Sequence, residues 1–343
     1  MNPFLTISIA TRNRPEYLEK LITSIANSKK NTSERIEIDV IVDGLDQAAT
    51  VAYLEKVNLD NLRFFTIPWQ GVAGARNFGS KVARGEFIRF QDDDDTLDSS
   101  AIIEIIQFHK RHPDSFLLGH AILRDTKNKF MNWATGANGF LYSYTFMKSI
   151  PLSHWGRFWG GRISLPKRYL NDCKFDTTFD FMGEDTEWAF RFAQNNKLDI
   201  HHGKKVISVV ERSLTIDEAV LRTVTQGWSN YKISEMHKQS HLEEVLRSNC
   251  ATFADKQKNQ ILDEIALLLK HPFCRDVNFL EISQNLDLCK YEVESFLHGI
   301  WWRVIELCKS LGYLAAQDGL SRMELEELVR SSIELFPNEI VKN

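Results

Sequence analysis

The chain has 343 residues, a length that suits one large domain or two smaller ones. Hydrophobic residues make up 43% of it and charged residues 26%, which is ordinary for a globular protein and excludes the disordered and fibrous classes. The formal net charge of −4 argues against a general nucleic-acid binder, because such proteins take their affinity from an excess of Lys and Arg.

The apolar runs in the chain fall well short of the ~20 residues that a membrane-spanning helix needs. The first residues, MNPFLTISIATRNRP, carry no basic leader, so we expect no signal peptide. The cysteines are odd in number and include no C-x-x-C pair, a pattern typical of reduced thiols in a cytoplasmic protein. These cysteines are Cys173, Cys250, Cys274, Cys289 and Cys308.

Strands and helices alternate over the first hundred residues. The apolar runs of strand length are FLTISIA, IEIDVIVDGLD, LRFFTIP and EFIRFQ. After the first run, Asn13 is expected to cap a helix that has Pro15 in its first turn and apolar residues at helical spacing. A further helix is GARNFGSKVARG, ending at Gly85. This alternation predicts an α/β fold with a mostly parallel sheet flanked by helices.

The loops that follow the predicted strands carry polar residues. Thr11 to Arg14, Asp43 and Asp92 to Asp95 all lie in such loops. Right-handed crossovers between parallel strands bring these loops to one edge of the sheet, where α/β proteins bind their ligands. The sequence therefore predicts a functional site at the carboxyl edge of the sheet.

Helical patterns dominate the chain from about Thr215, where Thr215 and Glu218 fit a capping box. Ser321 opens a further helix that is expected to continue through Leu335. One later helix carries an apolar stripe at helical spacing, formed by Phe296, Ile300, Val304, Leu307 and Leu311.

Two domains are therefore expected, residues 1–228 with the α/β fold and an all-α C-terminal region of residues 229–343. The apolar stripe is expected to pack on the first domain. Formation of a homo-oligomer through the C-terminal helices, or contact with a membrane-anchored acceptor, is the alternative use of this surface.

Four consecutive aspartates, Asp92 to Asp95, follow the strand EFIRFQ without an adjacent Lys or Arg. Such carboxylates suit Mg²⁺ or Mn²⁺, which commonly combine one or two carboxylates with substrate phosphates. A solvated acidic turn that caps the next helix accounts for the run equally well. Arg76 precedes the run, and Arg12 and Arg14 lie beside a helix N-terminus, where N–H groups favour an anion. Together these groups favour a site for a metal and a diphosphate.

Four blocks in one order carry a family resemblance: ISIATRNRPEYLEKLITSI, the VDG turn, GVAGARNFGSKVARGEFIRFQDDDDTLD and GEDTEWAFRF. They resemble the nucleotide-diphospho-sugar transferases of glycosyltransferase family 2, which have the GT-A fold. The resemblance covers about residues 4–213, and the aspartate block with its preceding A-R-N helix is its most specific part. The C-terminal helices lie outside it.

The resemblance implies contact with the nucleotide at the end of the first two strands. Thr11, Arg14 and Asp43 stand at the positions where such enzymes contact the nucleotide, with Asp43 facing the base. Arg76 stands near the base and the diphosphate. A UDP-sugar is the expected donor, although the family often has two acidic residues where this chain has Val42 and Asp43.

The D-x-D position of the family corresponds to Asp92, Asp93 and Asp94. The resemblance implies that Asp94, together with Asp92, holds Mn²⁺ or Mg²⁺, and that Asp92 and Asp93 lie near the ribose and the donor sugar. Many relatives add a His after the catalytic helix. Here Glu211 is nearest to that place and His202 lies earlier, so the third ligand is Glu211, His202 or none.

Within GEDTEW, Asp185 matches the family's catalytic base and Glu184 its supporting neighbour. Acids in the first turn of a helix also complement the helix dipole, which is the simpler interpretation of both. Gly161 and Arg162 match the loop on the acceptor side. The rings of Trp155 and Trp159 are candidate platforms for a sugar, with ordinary packing beneath a loop as the alternative.

These features predict a metal-dependent, inverting glycosyltransferase that moves a sugar to a hydroxyl of a glycan or glycolipid. The Q-x-x-R-W signature of processive synthases is missing, which favours single additions. The alternatives are a nucleotidyl or phosphoryl transferase and a degenerate transferase kept as a scaffold subunit. We expect a cytoplasmic protein, with peripheral contact at the inner face of the membrane as an option, and no nucleic-acid partner.

Overall fold

The computed structural model describes residues 2–136, 139–142, 144–253, 255–270, 274 and 290–333. The chain divides into two compact units. The first comprises residues 1–126 and 134–213, and the second comprises residues 127–133 and 214–343. The domain boundary expected from the sequence, between Trp228 and Ser229, lies inside a helix of the second unit.

Eight strands within the described residues form one sheet in the order β3-β2-β1-β4-β7-β6-β8-β5. The pairs β1–β2, β2–β3, β1–β4 and β6–β8 are parallel, whereas β4–β7, β6–β7 and β5–β8 are antiparallel. The strands are β1 (Leu5–Thr11), β2 (Ile36–Asp43), β3 (Leu62–Ile67), β4 (Phe87–Asp92), β5 (Asp95–Leu97), β6 (Phe116–Leu123), β7 (Ile163–Pro166) and β8 (Ile200–Val210).

Helices connect these strands. They are α1 (Pro15–Lys29), α2 (Ala48–Leu54), α3 (Gly71–Val82), α4 (Ala101–Arg111), α5 (Lys129–Ala134), α6 (Tyr144–Ser149), α7 (Tyr169–Asp172) and α8 (Glu184–Asn195). Two 3-10 turns, Trp155–Arg157 and Gly160–Arg162, precede β7. Pro15 opens α1 as expected, but the N-cap is Arg14 and not Asn13. The prediction for Asn13 was wrong because this residue adopts a φ of 54° and its backbone N–H donates to Gln47 Oε1 at 2.6 Å.

Apolar side chains cover both faces of the central strands, which explains why the helices lie on two sides. On one face, Ile7 and Ile9 of β1 pack with residues of α1 and α4. On the other face, Ile88 and Phe90 of β4 pack in a cluster that is rich in aromatic rings and includes Trp188 of α8. The α/β class predicted from the sequence is confirmed.

The second unit is helical, as predicted. Besides α5, of which residues 129–133 belong to this unit, its α-helices in the described part of the chain are α9 (Ile216–Met236), α10 (His241–Cys250), α11 (Lys258–Lys270), α12 (Lys290–Gln317) and α13 (Arg322–Ser332). The capping box of Thr215 and Glu218 is present, and Ser321 caps α13 with Glu324 in the same way. The predicted end of that helix at Leu335 lies outside the described residues.

The long helix α12 packs against α9, and glycines allow the two backbones to meet. A Cβ atom on Gly227 or Gly312 would overlap backbone atoms of the opposite helix. Of the predicted apolar stripe, Phe296 is 52% exposed, whereas the four other members are buried. Residues 127–133 belong to this unit because the ring of Trp133 packs on Trp301 of α12, with ring centroids 5.4 Å apart.

No disulfide joins the described cysteines. Cys173 lies in the first unit, and its backbone carbonyl accepts a hydrogen bond from Trp188 Nε1 at 2.8 Å. Cys250 and Cys308 are buried in the second unit. Cys289 lies outside the described residues.

Replacing Trp188 by Ala should lower the free energy of unfolding of the protein by about 3–5 kcal/mol, since the ring is fully buried and stacks on Phe192. Urea unfolding followed by circular dichroism measures this change. The control Leu45→Ala removes a side chain that is 74% exposed and should change the same quantity by less than about 0.5 kcal/mol. Equal effects of the two substitutions would contradict the burial of Trp188.

Candidate functional site

The carboxyl ends of β1, β2 and β4 meet at one edge of the sheet because the three strands are parallel neighbours. Thr11 pairs with Val42, and Ala10 pairs with Asp92. This register brings the loops that carry Thr11, Asp43 and the aspartate run together, as the sequence predicted.

The four aspartates alternate between buried and accessible positions. The side chains of Asp93 and Asp95 are 5% and 0% exposed, whereas those of Asp92 and Asp94 are 42% and 21% exposed. The alternation arises because β4 ends at Asp92 and β5 begins at Asp95, so the run bridges two strands. The expectation of one solvated acidic turn does not describe this arrangement, since two of the carboxylates are buried.

Asp93 is held by the first loop. Its Oδ2 accepts a hydrogen bond from Thr11 Oγ1 at 2.8 Å, and its Oδ1 accepts from Arg14 Nη1 at 2.9 Å. The same Arg14 Nη1 lies 3.2 Å from Asp94 Oδ2. Burial raises the pKa of Asp93 to about 6, against the opposing effect of Arg14. Although burial acts to lower it, the carboxylates of Asp93 and Asp94 hold the pKa of Arg14 above its ordinary value.

Asp43 ends β2 and faces the loop between β3 and α3. Its Oδ1 accepts a hydrogen bond from the backbone N–H of Gln70 at 2.8 Å, and its carbonyl oxygen accepts from Arg12 Nη1 at 2.8 Å. Burial raises the pKa of Asp43, while the N–H groups of Gln70 and Gly71 act in the opposite direction. Arg12 therefore supports the end of β2, and Gln70 is a site neighbour that the sequence analysis did not identify.

Arg76 is buried in the site. Its guanidinium forms an ion pair with Glu184, and its Nη2 lies 3.6 Å from Asp92 Oδ1. The rings of Phe90 and Phe175 flank it, each with its centroid 5.9 Å from the guanidinium carbon. Arg76 thus links the start of the aspartate run to the start of α8.

The acids at the start of α8 differ in their surroundings. Glu184 is buried, and burial followed by the charge of Asp185 raises its pKa to about 7, against the effect of Arg76. Glu184 Oε2 has no hydrogen-bond partner among the described residues. Asp185 is half-buried, and its Oδ2 accepts a hydrogen bond from the backbone N–H of Gly160 at 3.1 Å. The two carboxylates can therefore serve different purposes.

The 3-10 turn Gly160–Arg162 lies between the aspartate run and Asp185. Gly161 faces Asp92, and Arg162 is buried in an ion pair with Asp95, with Nη2 and Oδ2 2.5 Å apart. Arg162 is thus not exposed for direct contact with an acceptor. The pairing of Asp95 was not anticipated, although the charged Arg89 within the apolar run EFIRFQ was a signal of a buried polar network.

The two candidate sugar platforms have different settings. Trp159 immediately precedes the 3-10 turn, and its ring packs on Tyr144 with centroids 5.2 Å apart. Trp155 packs on His154 and lies against the aromatic cluster of α8. Both rings are half-buried.

The candidates for a third metal ligand are engaged elsewhere. Glu211 accepts hydrogen bonds from Thr96 Oγ1 at 2.7 Å and from Arg124 Nη2 at 2.8 Å, although its backbone N–H donates to the carbonyl of Asp94 at 3.0 Å. His202 Nε2 lies 3.1 Å from His120 Nδ1, and burial lowers the pKa of His202 to about 4.

No three His, Cys, Asp or Glu side chains in the described ranges form a group that could hold a metal ion. A cage made entirely by the protein therefore does not fit the described residues. The partly exposed carboxylates of Asp92 and Asp94 do fit a hard cation that takes one or two protein carboxylates and completes its shell with phosphate oxygens and water.

The family follows from the sequence comparison. Residues 6–173 match the model of Glycosyl transferase family 2. This segment contains the first loop, Asp43, Arg76, the aspartate run and the turn before β7. Residues 6–173 therefore belong to glycosyltransferase family 2, as predicted from the sequence, and the sheet flanked by helices is the fold class expected for that family.

Two curated relatives share part of the chain. “Putative glycosyltransferase EpsH” of Bacillus subtilis (strain 168) is 29% identical over 132 residues, which are 38% of this chain and 37% of the relative. “GalNAc(5)-diNAcBac-PP-undecaprenol beta-1,3-glucosyltransferase” of Campylobacter jejuni is 36% identical over 107 residues, which are 31% of this chain and 34% of the relative. The chain thus matches about a third of the length of each.

Solved structures of S. aureus TarS are similar over most of the chain. TarS 1-349 covers 92% of both chains with 16% identity and a TM-score of 0.49. TarS 1-349 in complex with UDP covers the same shares with 16% identity and a TM-score of 0.45.

No helix in the described part of this chain combines the length and apolar character needed to cross a bilayer.

Glu184 should make the stability of the protein depend on pH. Its folded-state pKa of about 7 lies above the ordinary value of 4.5, so the folded state binds more protons between these values and the free energy of unfolding falls as pH rises. Glu184→Gln should reduce the fall between about pH 5 and pH 8 by at least ~1 kcal/mol, because one pKa unit corresponds to about 1.4 kcal/mol. Urea unfolding at pH 5 and at pH 8 measures the free energy of unfolding of both proteins. An equal fall in the wild type and in Glu184→Gln would contradict the raised pKa of Glu184.

Proposed function

We propose that this chain is a metal-dependent, inverting glycosyltransferase that uses a nucleotide-diphospho-sugar and adds single sugars to a hydroxyl group. One observation carries the proposal. The half-buried carboxylate of Asp185 is oriented by the Gly160 N–H, and the turn that begins at Gly160 also faces Asp92 of the aspartate run. Asp185, the proposed proton acceptor, and Asp92 thus both lie against one short segment.

The donor nucleotide is proposed to lie along the ends of β1 and β2. Asp43 would face the base, since its carboxylate lies at the end of β2 beside Gln70. Thr11 and Arg14 would face the ribose and the diphosphate, next to the N-terminus of α1, where N–H groups and the helix dipole favour an anion. Arg14 already compensates Asp93 and Asp94, so a further positive charge, that of the proposed divalent cation, would be needed to attract the negatively charged donor.

The reaction class follows from the proposed roles of the acids. Asp185 would accept the proton of the acceptor hydroxyl as that oxygen attacks the anomeric carbon opposite the leaving nucleoside diphosphate, so the configuration inverts. Glu184 and Arg76 would hold the start of α8 against Asp92. A divalent cation held by Asp92 and Asp94 would supply positive charge for the leaving diphosphate.

A glycan or glycolipid is the proposed acceptor. Trp159 is the better candidate platform of the two tryptophans, since it directly precedes the turn that contacts Asp185. The name of the Campylobacter relative describes transfer to a lipid-linked glycan, which supports an acceptor of that class and peripheral work at a membrane surface. Polysaccharide biosynthesis is the corresponding pathway class.

The donor class can be tested by calorimetry. We expect one of UDP, GDP, dTDP and CDP, with UDP as the first candidate, to bind in the presence of Mn²⁺ and to bind at least about tenfold more weakly in EDTA, because the cation links phosphate to carboxylate. Asp94→Asn should show the weak binding in both conditions. Absence of binding by all four nucleotides would favour the scaffold alternative.

The role of Asp185 can be tested by substitution. Asp185→Asn should retain the fold and nucleotide binding but lower the rate of transfer by about 100-fold or more, since removal of a general base typically costs 10²–10⁴-fold. The control Asp60→Asn changes an exposed carboxylate remote from α8 in sequence and should leave the rate unchanged. Nucleoside diphosphate release from a sugar donor, with and without a glycan acceptor, is the measurement. Full activity of Asp185→Asn would remove Asp185 from the mechanism.

A further inference from the structure

The turn Gly160–Arg162 contacts the two halves of the site through different residues. The backbone N–H of Gly160 donates to Asp185 Oδ2 at 3.1 Å. Gly161 lies so close to Asp92 that a Cβ atom at this position would overlap the carboxylate. The turn therefore contacts both Asp185 and the start of the aspartate run.

The third residue of the turn anchors it. Arg162 Nη2 forms an ion pair with Asp95 Oδ2 at 2.5 Å, and both side chains are buried. The carbonyl oxygen of Arg162 accepts a hydrogen bond from Arg89 Nη1 at 3.1 Å. The ring of Tyr142 lies over the guanidinium with its centroid 4.2 Å from Cζ. Both the side chain and the backbone of Arg162 are therefore held by buried contacts.

We propose that the Asp95–Arg162 ion pair positions the turn, and through it Asp185, so that Arg162 is a positioning residue for the transfer reaction and not an acceptor contact. Asp95 is one of the two buried carboxylates of the aspartate run, and its side chain is fully buried. The catalytic consequence rests on the function proposed above, whereas the structural claim about the turn does not.

A buried ion pair is a costly way to stabilise a fold. Apolar residues of similar volume often stabilise as well or better, because they avoid the desolvation of two charges. A buried ion pair does fix the separation of its two groups, because moving either one away would leave an unpaired buried charge. Here one member of the pair belongs to the turn whose Gly160 N–H donates to Asp185.

The test uses the full chain with the pair replaced by apolar residues, Asp95→Leu with Arg162→Met. The exposed pair of Arg168 and Asp114 offers a matched control, Asp114→Leu with Arg168→Met, in the same unit. Amide hydrogen exchange of Gly160 in the free protein is the first readout. We expect exchange at least about tenfold faster than in the wild type, with β1 and β2 unchanged, and no change at Gly160 in the control.

The second readout is steady-state release of nucleoside diphosphate from UDP-glucose, GDP-mannose and dTDP-glucose. The double variant Asp95→Leu with Arg162→Met should have a kcat about 100-fold lower than the wild type and a donor KM within about threefold of it. Displaced catalytic groups lower the rate of the chemical step more than they weaken donor binding. If the double variant does not fold, both readouts are measured on Arg162→Lys, which keeps the charge but lacks the planar guanidinium. The same two changes, faster exchange at Gly160 and a lower kcat, are expected.

Unchanged exchange at Gly160 would overturn the positioning of the turn. Faster exchange with unchanged kcat would overturn its importance for the reaction. If the wild-type protein releases nucleotide from none of these donors and binds no nucleoside diphosphate, the proposed function fails, and hydrogen exchange alone still decides whether the ion pair positions the turn.

Discussion

Compensation of charge in the run Asp92 to Asp95 is the constraint on which the rest of the site depends. Four adjacent carboxylates repel one another, and the two that are buried lose the hydration that would make their charges tolerable. The chain compensates them with arginines from three separate segments: Arg14 before α1, Arg76 in α3 and Arg162 before β7. The segments that supply these arginines must therefore converge on the end of β4.

This convergence has chemical consequences. Arg76 divides its contacts between Asp92 and Glu184, so the start of α8 is tied to the aspartate run. Arg162 brings the preceding glycines against Asp92 and Asp185. The compensation leaves Asp92 and Asp94 as the accessible carboxylates of the run, and these are the two to which the proposed cation is assigned.

Much of the fold was predictable because its signals are local. The run FLTISIA corresponds to Leu5–Thr11, and EFIRFQ corresponds to Phe87–Asp92, with ends displaced by one residue. The capping box at Thr215 was present where its residue spacing placed it. The predicted cap at Asn13 was absent, because the backbone N–H of that residue donates a hydrogen bond to Gln47, 34 positions away. The short strand β5 gave no periodic signal over its three residues.

The sequence by itself determined the alternation of strands and helices, the family of residues 6–173 and the acids that gather at one edge of the sheet. Only the tertiary structure decided which acids are buried and which arginine each one meets. The physical reason is the range of the interactions. Periodicity and capping depend on neighbours within a few residues, whereas Arg14 and Asp93 lie 79 positions apart and meet only because their strands pack side by side.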